Sequence, residues 1–272
     1  MIPAAFDYAR AGSVEEAISL LGSNEDAKVL AGGHSLLPAM RLRIARPAML
    51  VDIGRMSDLS YVREDGDRIA IGALTRHHDL ANSEALEQLC PIVAFTAAQI
   101  GDPQVRHMGT IGGSVAHGDP ASDLPSVLLA LDAEFTAQGP AGSRTIAADA
   151  FFTSLFETAL APNEVLTEIR VPKATAGWSY LKFQRRAQDW AVVGVAAVRS
   201  NGGVHVGLTN MGLTPMRAAG VEAAVLAGSD PAAAAAHADE GTAPPSDSFG
   251  SDEYRRELVK VLVRRALVEA ME

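Results

Sequence analysis

Two short stretches of this chain carry residue types suited to gripping an anion. The first, "VLAGGHSLLP" (29–38), runs Val29, Leu30, Ala31, Gly32, Gly33, His34, Ser35, Leu36. The second, "GTIGGSVAHGDPASDLP" (109–125), repeats the device with Thr110, Ile111, Gly112, Gly113 and Ser114. The two Gly-Gly pairs lie 80 residues apart, and each follows an apolar residue and is followed by a hydroxyl residue within two positions. Glycine lets a backbone turn through positive φ and approach a ligand closely. Successive N–H groups in such a turn form a concave anion site, and a helix N-terminus behind it adds partial positive charge. Ser35, Thr110 and Ser114 add hydroxyl donors. A diphosphate must shed much of its hydration on binding, so two loops closing on it from two sides make chemical sense. The competing reading is two ordinary strand-end turns. Neither loop is G-x-G-x-x-G or G-x-x-x-x-G-K-[ST], so a Rossmann or P-loop site has no support.

The second loop continues into His117, Asp119, Ser122 and Asp123 within seven residues. His and Asp are metal ligands, but no second cluster at ligand spacing accompanies them; we expect no metal site. Asp119 before Pro120 suits a turn, and Ser122 or Asp123 suits a helix cap. Asp123 also suits hydrogen bonding to ribose hydroxyls, because a carboxylate is a pure acceptor. His77 and His78 in "TRHHDL" read as a solvated loop pair. No nucleophile–base arrangement stands out, and we expect no catalytic residue in the sense of substrate turnover.

The elements that must hold these loops follow from pattern. Ser13 and Glu16 suggest a capping box opening a helix through "SVEEAISLLG", closing near Gly22. "AKVLAGG" and "AMLVDIG" read as strands with "SLLPAMRLR" helical between them, giving 1–55 a βαβ character. "LSYVREDGDRIAIGA" predicts a hairpin turning at Asp65-Gly66. "TRHHDLANSEALEQLCPIVAFTAAQI" is helical, interrupted at Pro91. "DLPSVLLALDAEFTAQG" runs from helix to strand, and "SRTIAADAFF" and "EVLTEIRVP" are extended. Past a boundary near 173–178, "WSYLKFQRR", "AVVGVAAVRS" and "GVHVGLTNMG" are three strands, with Asn201-Gly202-Gly203 as a turn. Helices close the chain. In the last, Tyr254, Leu258, Val261, Leu262, Leu267 and Val268 fall near helical spacing. The class is α+β in three parts.

Bulk properties bound the function. The 272 residues are 48% apolar and only 5% aromatic, so the core should be aliphatic. A net charge of −10 disfavours nucleic acid as a partner. No apolar run approaches the ~20 residues of a membrane span. No Sec-type or twin-arginine signal is visible, and a cytoplasmic location is expected. The single cysteine, Cys90, excludes an internal disulfide and any iron–sulfur cluster held by this chain's cysteines alone.

Taken in order, "AGGHSLLPAMRLR", "GDPQVRHMGTIGGSVAHGDPASDLP" and "KFQRRAQDWAVVGVAA" resemble the FAD-binding medium subunits of xanthine-oxidase-family molybdenum hydroxylases, with carbon monoxide dehydrogenase medium subunits nearest in flavour. The likeness runs nearly the whole chain, to "SDEYRRELVKVLVRRAL". It implies a vanillyl-alcohol-oxidase-like (PCMH-type) FAD domain over 1–175, with α/β subdomains of about 1–55 and 56–175. A small C-terminal domain over 176–272 would follow, with a three-stranded antiparallel sheet and helices. By resemblance, residues 29–36 and Thr110–Ser114 wrap the FAD diphosphate, Asp123 bonds the adenosine end, and Leu166 packs near the adenine. Lys182 reaches the flavin region, or is a solvated strand lysine. His34 donates to phosphate or fills the turn. Trp190 stands where relatives place a tyrosine or an aliphatic residue over the isoalloxazine; it covers the ring or is a core residue.

The resemblance further implies an oxidoreductase subunit that does not itself activate the organic substrate. A large molybdopterin-binding subunit would oxidise the substrate, a small subunit with two 2Fe-2S clusters would relay electrons, and FAD on this chain would pass them to an external acceptor. The assembly would be a dimer of such heterotrimers. The Ala-rich C-terminal segment and the final helix are candidate docking faces. Carbon monoxide, an aldehyde, a purine or an N-heteroaromatic all remain open as substrates, because the selecting residues would lie on the large subunit. The competing readings are a stand-alone flavin oxidoreductase of the same fold and a flavin-free scaffold.

Overall fold

A computed structural model describes residues 2–175, 177–200 and 203–272. The first part holds a three-stranded parallel sheet in which Met49–Asp52 lies between Asp7–Arg10 and Ala27–Leu30. Leu50 and Val51 are buried at its centre. The Val14–Ser23 helix covers it with Val14, Ala17, Ile18 and Leu21. Its cap is close to the predicted box. Ser13 Oγ accepts from the Glu16 N–H at 3.2 Å, but the Glu16 carboxylate reaches back to the N–H of Gly12, one residue before the cap. The short Leu36–Arg41 helix connects the Ala27–Leu30 and Met49–Asp52 strands.

A five-stranded antiparallel sheet follows, ordered Val62–Asp65, Arg68–Gly72, Val165–Pro172, Glu134–Gly139, Gly142–Ala147. The first hairpin pairs Asp65 with Arg68, so its turn is Gly66-Asp67, one residue later than expected; Gly66 takes the positive φ of 63°. The helical run after it is three helices, His77–Ala81, Glu84–Leu89 and Pro91–Ala98. The unexpected break falls at Asn82-Ser83, where Ser83 Oγ accepts from the Leu86 N–H and restarts the chain. Pro103–Met108, Ile111–His117 and Asp123–Ala130 complete this helical layer. Phe135, Phe151, Leu124, Ile169 and Ile92 meet in the largest core.

The C-terminal sheet has four antiparallel strands rather than three: Trp178–Phe183, Val193–Ser200, Gly203–Thr209 and Met216–Arg217. The fourth is two residues long, pairing Gly207 with Arg217 and Leu208 with Met216, too short for an alternation to register. Of the predicted Asn201-Gly202-Gly203 turn, the first two residues lie outside the described residues and Gly203 opens the third strand. One face of this sheet joins the large core through Tyr180, Ala196 and Val198. The other packs on Ala219–Leu226, Pro231–Ala235 and Asp252–Met271.

The terminal helix turns a different face inward than its large apolar residues suggest. Val259, Leu262, Val263, Ala266, Leu267 and Ala270 are buried, while Tyr254, Val261 and Val268 are exposed. The reason is Arg255, which is fully buried: its guanidinium donates to Val192 O and, at 2.8 Å, to both carboxylate oxygens of Asp247. A buried, ion-paired arginine and small alanines define the inner face, and neither registers in a count of large apolar side chains.

Candidate cofactor site

The first glycine stretch leaves the sheet at Leu30 and turns at once. A Cβ on Gly32 would stand 2.1 Å from Met108 O and 2.9 Å from Gly109 Cα, so this turn is in direct backbone contact with the segment that opens the second stretch. Gly33 takes φ +72°, a left-handed conformation that disfavours any side chain. His34 Nδ1 bonds Gly32 O at 2.9 Å, so the imidazole stiffens its own turn. Ser35 precedes the Leu36–Arg41 helix without making a side-chain cap bond. Among the described residues, no protein group accepts the backbone N–H groups of Gly32, Gly33, His34, Ser35 and Leu36. Five consecutive amides are thus left for a ligand or water.

The second stretch is built differently. Thr110 caps the Ile111–His117 helix, its Oγ1 accepting from the Gly113 N–H at 3.1 Å. The Ile111 and Gly112 amides donate to Thr75 O and Ala73 O, and Ser114 donates to Thr110 O. A Cβ on Gly112 would lie 2.5 Å from Ala73 Cβ and 2.6 Å from Ala73 O, so glycine here permits close packing on the sheet. The amides of 111–114 are already spent, so of the two expected backbone clamps only the first loop keeps free amides to offer. What this loop presents to the cavity is side chain, the Ser114 hydroxyl and the Thr110 hydroxyl proton, which the cap bond leaves free. Ile111 does not line the cavity; its side chain is in the core.

Farther along the same cavity stands a buried polar cluster. Asp123 accepts from the Tyr180 hydroxyl at 2.5 Å and from Lys182 Nζ at 2.9 Å. The Lys182 and Asp123 side chains are only 2% and 6% exposed, and Lys182 also donates to Gln99 O at 3.3 Å. A solvated Lys182 is ruled out. Burial pushes the Asp123 carboxyl above the usual carboxylate range, against the opposing pull of Lys182 and the Tyr180 hydroxyl. Burial, reinforced by the Asp123 charge, holds the Tyr180 hydroxyl well above its ordinary value, so it stays a donor. The pair also corrects the map read from sequence. Asp123 at the adenosine end and Lys182 at the flavin end cannot both stand, because a 2.9 Å ion pair makes them one unit. Trp190 is 58% exposed at the cavity wall, so it is no core residue. Leu166 is buried and reaches the cavity from the Val165–Pro172 strand.

His77 was expected in solvent and is 5% exposed. Its N–H donates to Gly109 O at 3.1 Å, which draws the ring against the second loop. His78, by contrast, stacks on His107 with ring centroids 4.0 Å apart. The cavity lined by both loops, His77, Asp123, Leu166, Lys182 and Trp190 holds about 820 Å³, within the range of sites that enclose a cofactor. Among the described residues, no group of three or more His, Cys, Asp or Glu gathers as a metal would require. No described helix is long and apolar enough to cross a membrane.

The family model "FAD binding domain in molybdopterin dehydrogenase" matches residues 4–174, and "CO dehydrogenase flavoprotein C-terminal domain" matches 178–270. The chain belongs to the FAD-binding medium subunits of the molybdenum hydroxylases. It is similar to the carbon monoxide dehydrogenase medium chain of Hydrogenophaga pseudoflava, with 42% identity over 98% of this chain and 97% of that one. It is also similar to the 6-hydroxypseudooxynicotine dehydrogenase complex subunit alpha of Paenarthrobacter nicotinovorans, with 39% identity over 100% and 96%. A solved carbon monoxide dehydrogenase from Hydrogenophaga pseudoflava, lacking the Mo-pyranopterin moiety, contains a chain that superposes with TM-score 0.94 at 43% identity, covering 100% of this chain and 99% of that one. As a medium subunit this protein is an FAD-binding oxidoreductase component with an electron-transfer role in a multisubunit complex.

For this medium subunit the sequence named both glycine loops, Asp123, Leu166, Lys182 and Trp190 on the cavity wall, and it missed His77 there and Tyr180 behind Asp123. Tyr180 carried a usable signal. It sits two residues before Lys182 in one strand, so both project from the same sheet face. His77 carried none, because burial of a histidine opening a five-residue helix depends on what packs above it.

Proposed function

We propose that this subunit holds FAD extended across the cavity, its diphosphate against the first glycine loop and its flavin toward Asp123, Lys182 and Trp190. The observation that carries this is the row of five unpaired amides, residues 32–36, facing the hydroxyl-bearing second loop. Those amides, with the Ser35, Thr110 and Ser114 hydroxyls, supply donors without supplying net charge, which suits a diphosphate in a half-enclosed cleft. Val29, Leu30, Ala31 and Leu166 shape the apolar wall, and Gly112 and Gly113 let the second loop sit close. His34 holds its turn in shape. The Tyr180–Asp123–Lys182 cluster keeps fixed polar groups at the flavin end, where they orient the ring and bias its potential. Trp190 shields the mouth. FAD bound there supplies reversible one- and two-electron chemistry.

We further read residues 1–175 as a PCMH-type FAD domain divided near residue 55, and 176–272 as the C-terminal domain. The separate family matches and the separate second core of the C-terminal sheet support this. Relatives named for carbon monoxide and for 6-hydroxypseudooxynicotine differ little in their identity to this chain, which supports placing substrate choice on another subunit. That subunit would carry molybdopterin, and a small 2Fe-2S subunit would feed electrons to this chain within a cytoplasmic dimer of heterotrimers. The test is purification of the chain with its co-expressed neighbours. Yellow colour near 450 nm that releases FAD on denaturation, with two further chains co-eluting, is the expected result. A colourless chain that takes up no added FAD overturns the reading. A yellow chain eluting alone favours a stand-alone flavin oxidoreductase.

A further inference from the structure

The His77 imidazole is the one buried titratable group at the loop junction that the site as described leaves without a task. It is 5% exposed, lines the cavity, and its Nδ1 is buried without a hydrogen-bond partner among the described residues. An orphaned polar atom in such a place is costly and calls for a ligand or an ordered water. The ring is also fixed in position. Its backbone N–H is tied to Gly109 O, and a Cβ on Gly109 would lie 2.8 Å from Cδ2 and 3.1 Å from Nε2. The ring therefore fills the space that glycine opens directly before the second loop. Gly109 is also the residue whose Cα a Cβ on Gly32 would meet. His77 thus stands where the two loops converge.

The surrounding charge has one sign. Arg76 donates to Met108 O and to Gly54 O, and Arg106 donates to Ile100 O and Gly101 O at 2.9 and 3.0 Å. Neither arginine is ion-paired among the described residues. Both spend their donors on backbone carbonyls, and together they leave positive charge beneath the junction that no protein carboxylate cancels. With His34 they disfavour a proton on His77, and burial disfavours it more, so the imidazole is pushed down to about 4 and stays neutral at physiological pH. A neutral ring keeps one N–H donor, and a phosphate oxygen is a matching acceptor.

We infer that His77 is a cofactor-contacting residue, its imidazole donating a hydrogen bond to the diphosphate of FAD where the two glycine loops meet. The inference rests on the FAD reading above and adds a residue to it. The experiment titrates the deflavinated full-length chain with FAD, ADP and riboflavin, following flavin fluorescence or heat. It compares wild type with His77→Asn, His77→Gln and His77→Leu. Asn and Leu have nearly the same shape and differ in the donor. The better of Asn and Gln should bind FAD and ADP about tenfold more tightly than Leu, with riboflavin affinity equal in all. Equal ADP affinity across the three variants, or a loss for riboflavin as large as for ADP, overturns the inference. If the variants do not fold, the 15N shifts of the His77 ring in wild type serve instead. They should move on adding ADP and not riboflavin, and their failure to move overturns it equally. A wild-type chain that binds neither FAD nor ADP refutes the FAD reading itself, and is thereby distinguished from the failure of His77 alone.

Discussion

The two glycine loops look alike as strings and differ as structures. The first is a turn whose amides have no protein acceptors among the described residues. The second is the first turn of a helix whose amides are all claimed, by Thr75, Ala73 and Thr110. The same Gly-Gly dipeptide meets two needs. At Gly32 and Gly112 it allows backbone to press on backbone or sheet, and at Gly33 it allows positive φ. One loop is therefore an open donor surface and the other a stiff wall that locates it. Under the proposed function the diphosphate would lie on the first loop, which the second holds in register.

The largest effect should come from breaking the contact between the loops. Gly32→Ala sets a Cβ on Met108 O, and Gly112→Ala sets one on Ala73; in both, backbone atoms are in the way and cannot rotate aside. Each should cost about 3 kcal/mol in urea unfolding, at the upper end of overpacking effects, and Gly32→Ala should also abolish FAD retention. A Gly32→Ala chain as stable and as yellow as wild type would mean that the loops do not depend on each other's closeness.

An effect of similar size is gated by pH and belongs to the wall. The His77 imidazole ordinarily titrates near 6.5 and is lowered to about 4 in the fold, chiefly by burial. Above 6.5 both states are neutral there, and the full stability is present. As pH falls from 6.5 toward 4, the unfolded chain takes up a proton that the folded chain refuses. Folding then loses about 1.4 kcal/mol per pH unit, roughly 3 kcal/mol in all. His77→Leu lacks this term, so the stability gap between wild type and variant should narrow on acidification from pH 7 to pH 4.5. A gap that stays constant would show that His77 titrates normally.

The smallest test separates the loops most cleanly. Thr110→Ala removes a working cap and should cost about 1 kcal/mol without any ligand. Ser35→Ala removes a hydroxyl that caps nothing, so apo stability should move by less than about 0.5 kcal/mol, while FAD affinity falls. Equal apo-state losses for the two would erase the distinction between wall and nest.

The pattern of residue types was enough for the parts of this protein that are local. The Ser13 cap, the parallel strand pair of the first sheet, the hairpin near Gly66 and both glycine loops follow from neighbours within a few positions, and short-range sterics act over that distance. The whole-chain likeness to a flavoprotein subunit was equally legible, since it rests on ordered motifs. What stayed hidden was set by partners distant in the chain. The inner face of the terminal helix turned on Arg255 meeting Asp247 and Val192 O. Asp123 was drawn to Tyr180 and Lys182, 57 and 59 residues away. His77 was buried by the approach of Gly109. Which amides remained free and which were spent could be counted only after folding, because the Ile111 and Gly112 amides are spent on Thr75 O and Ala73 O, carbonyls of a segment that packing brings alongside.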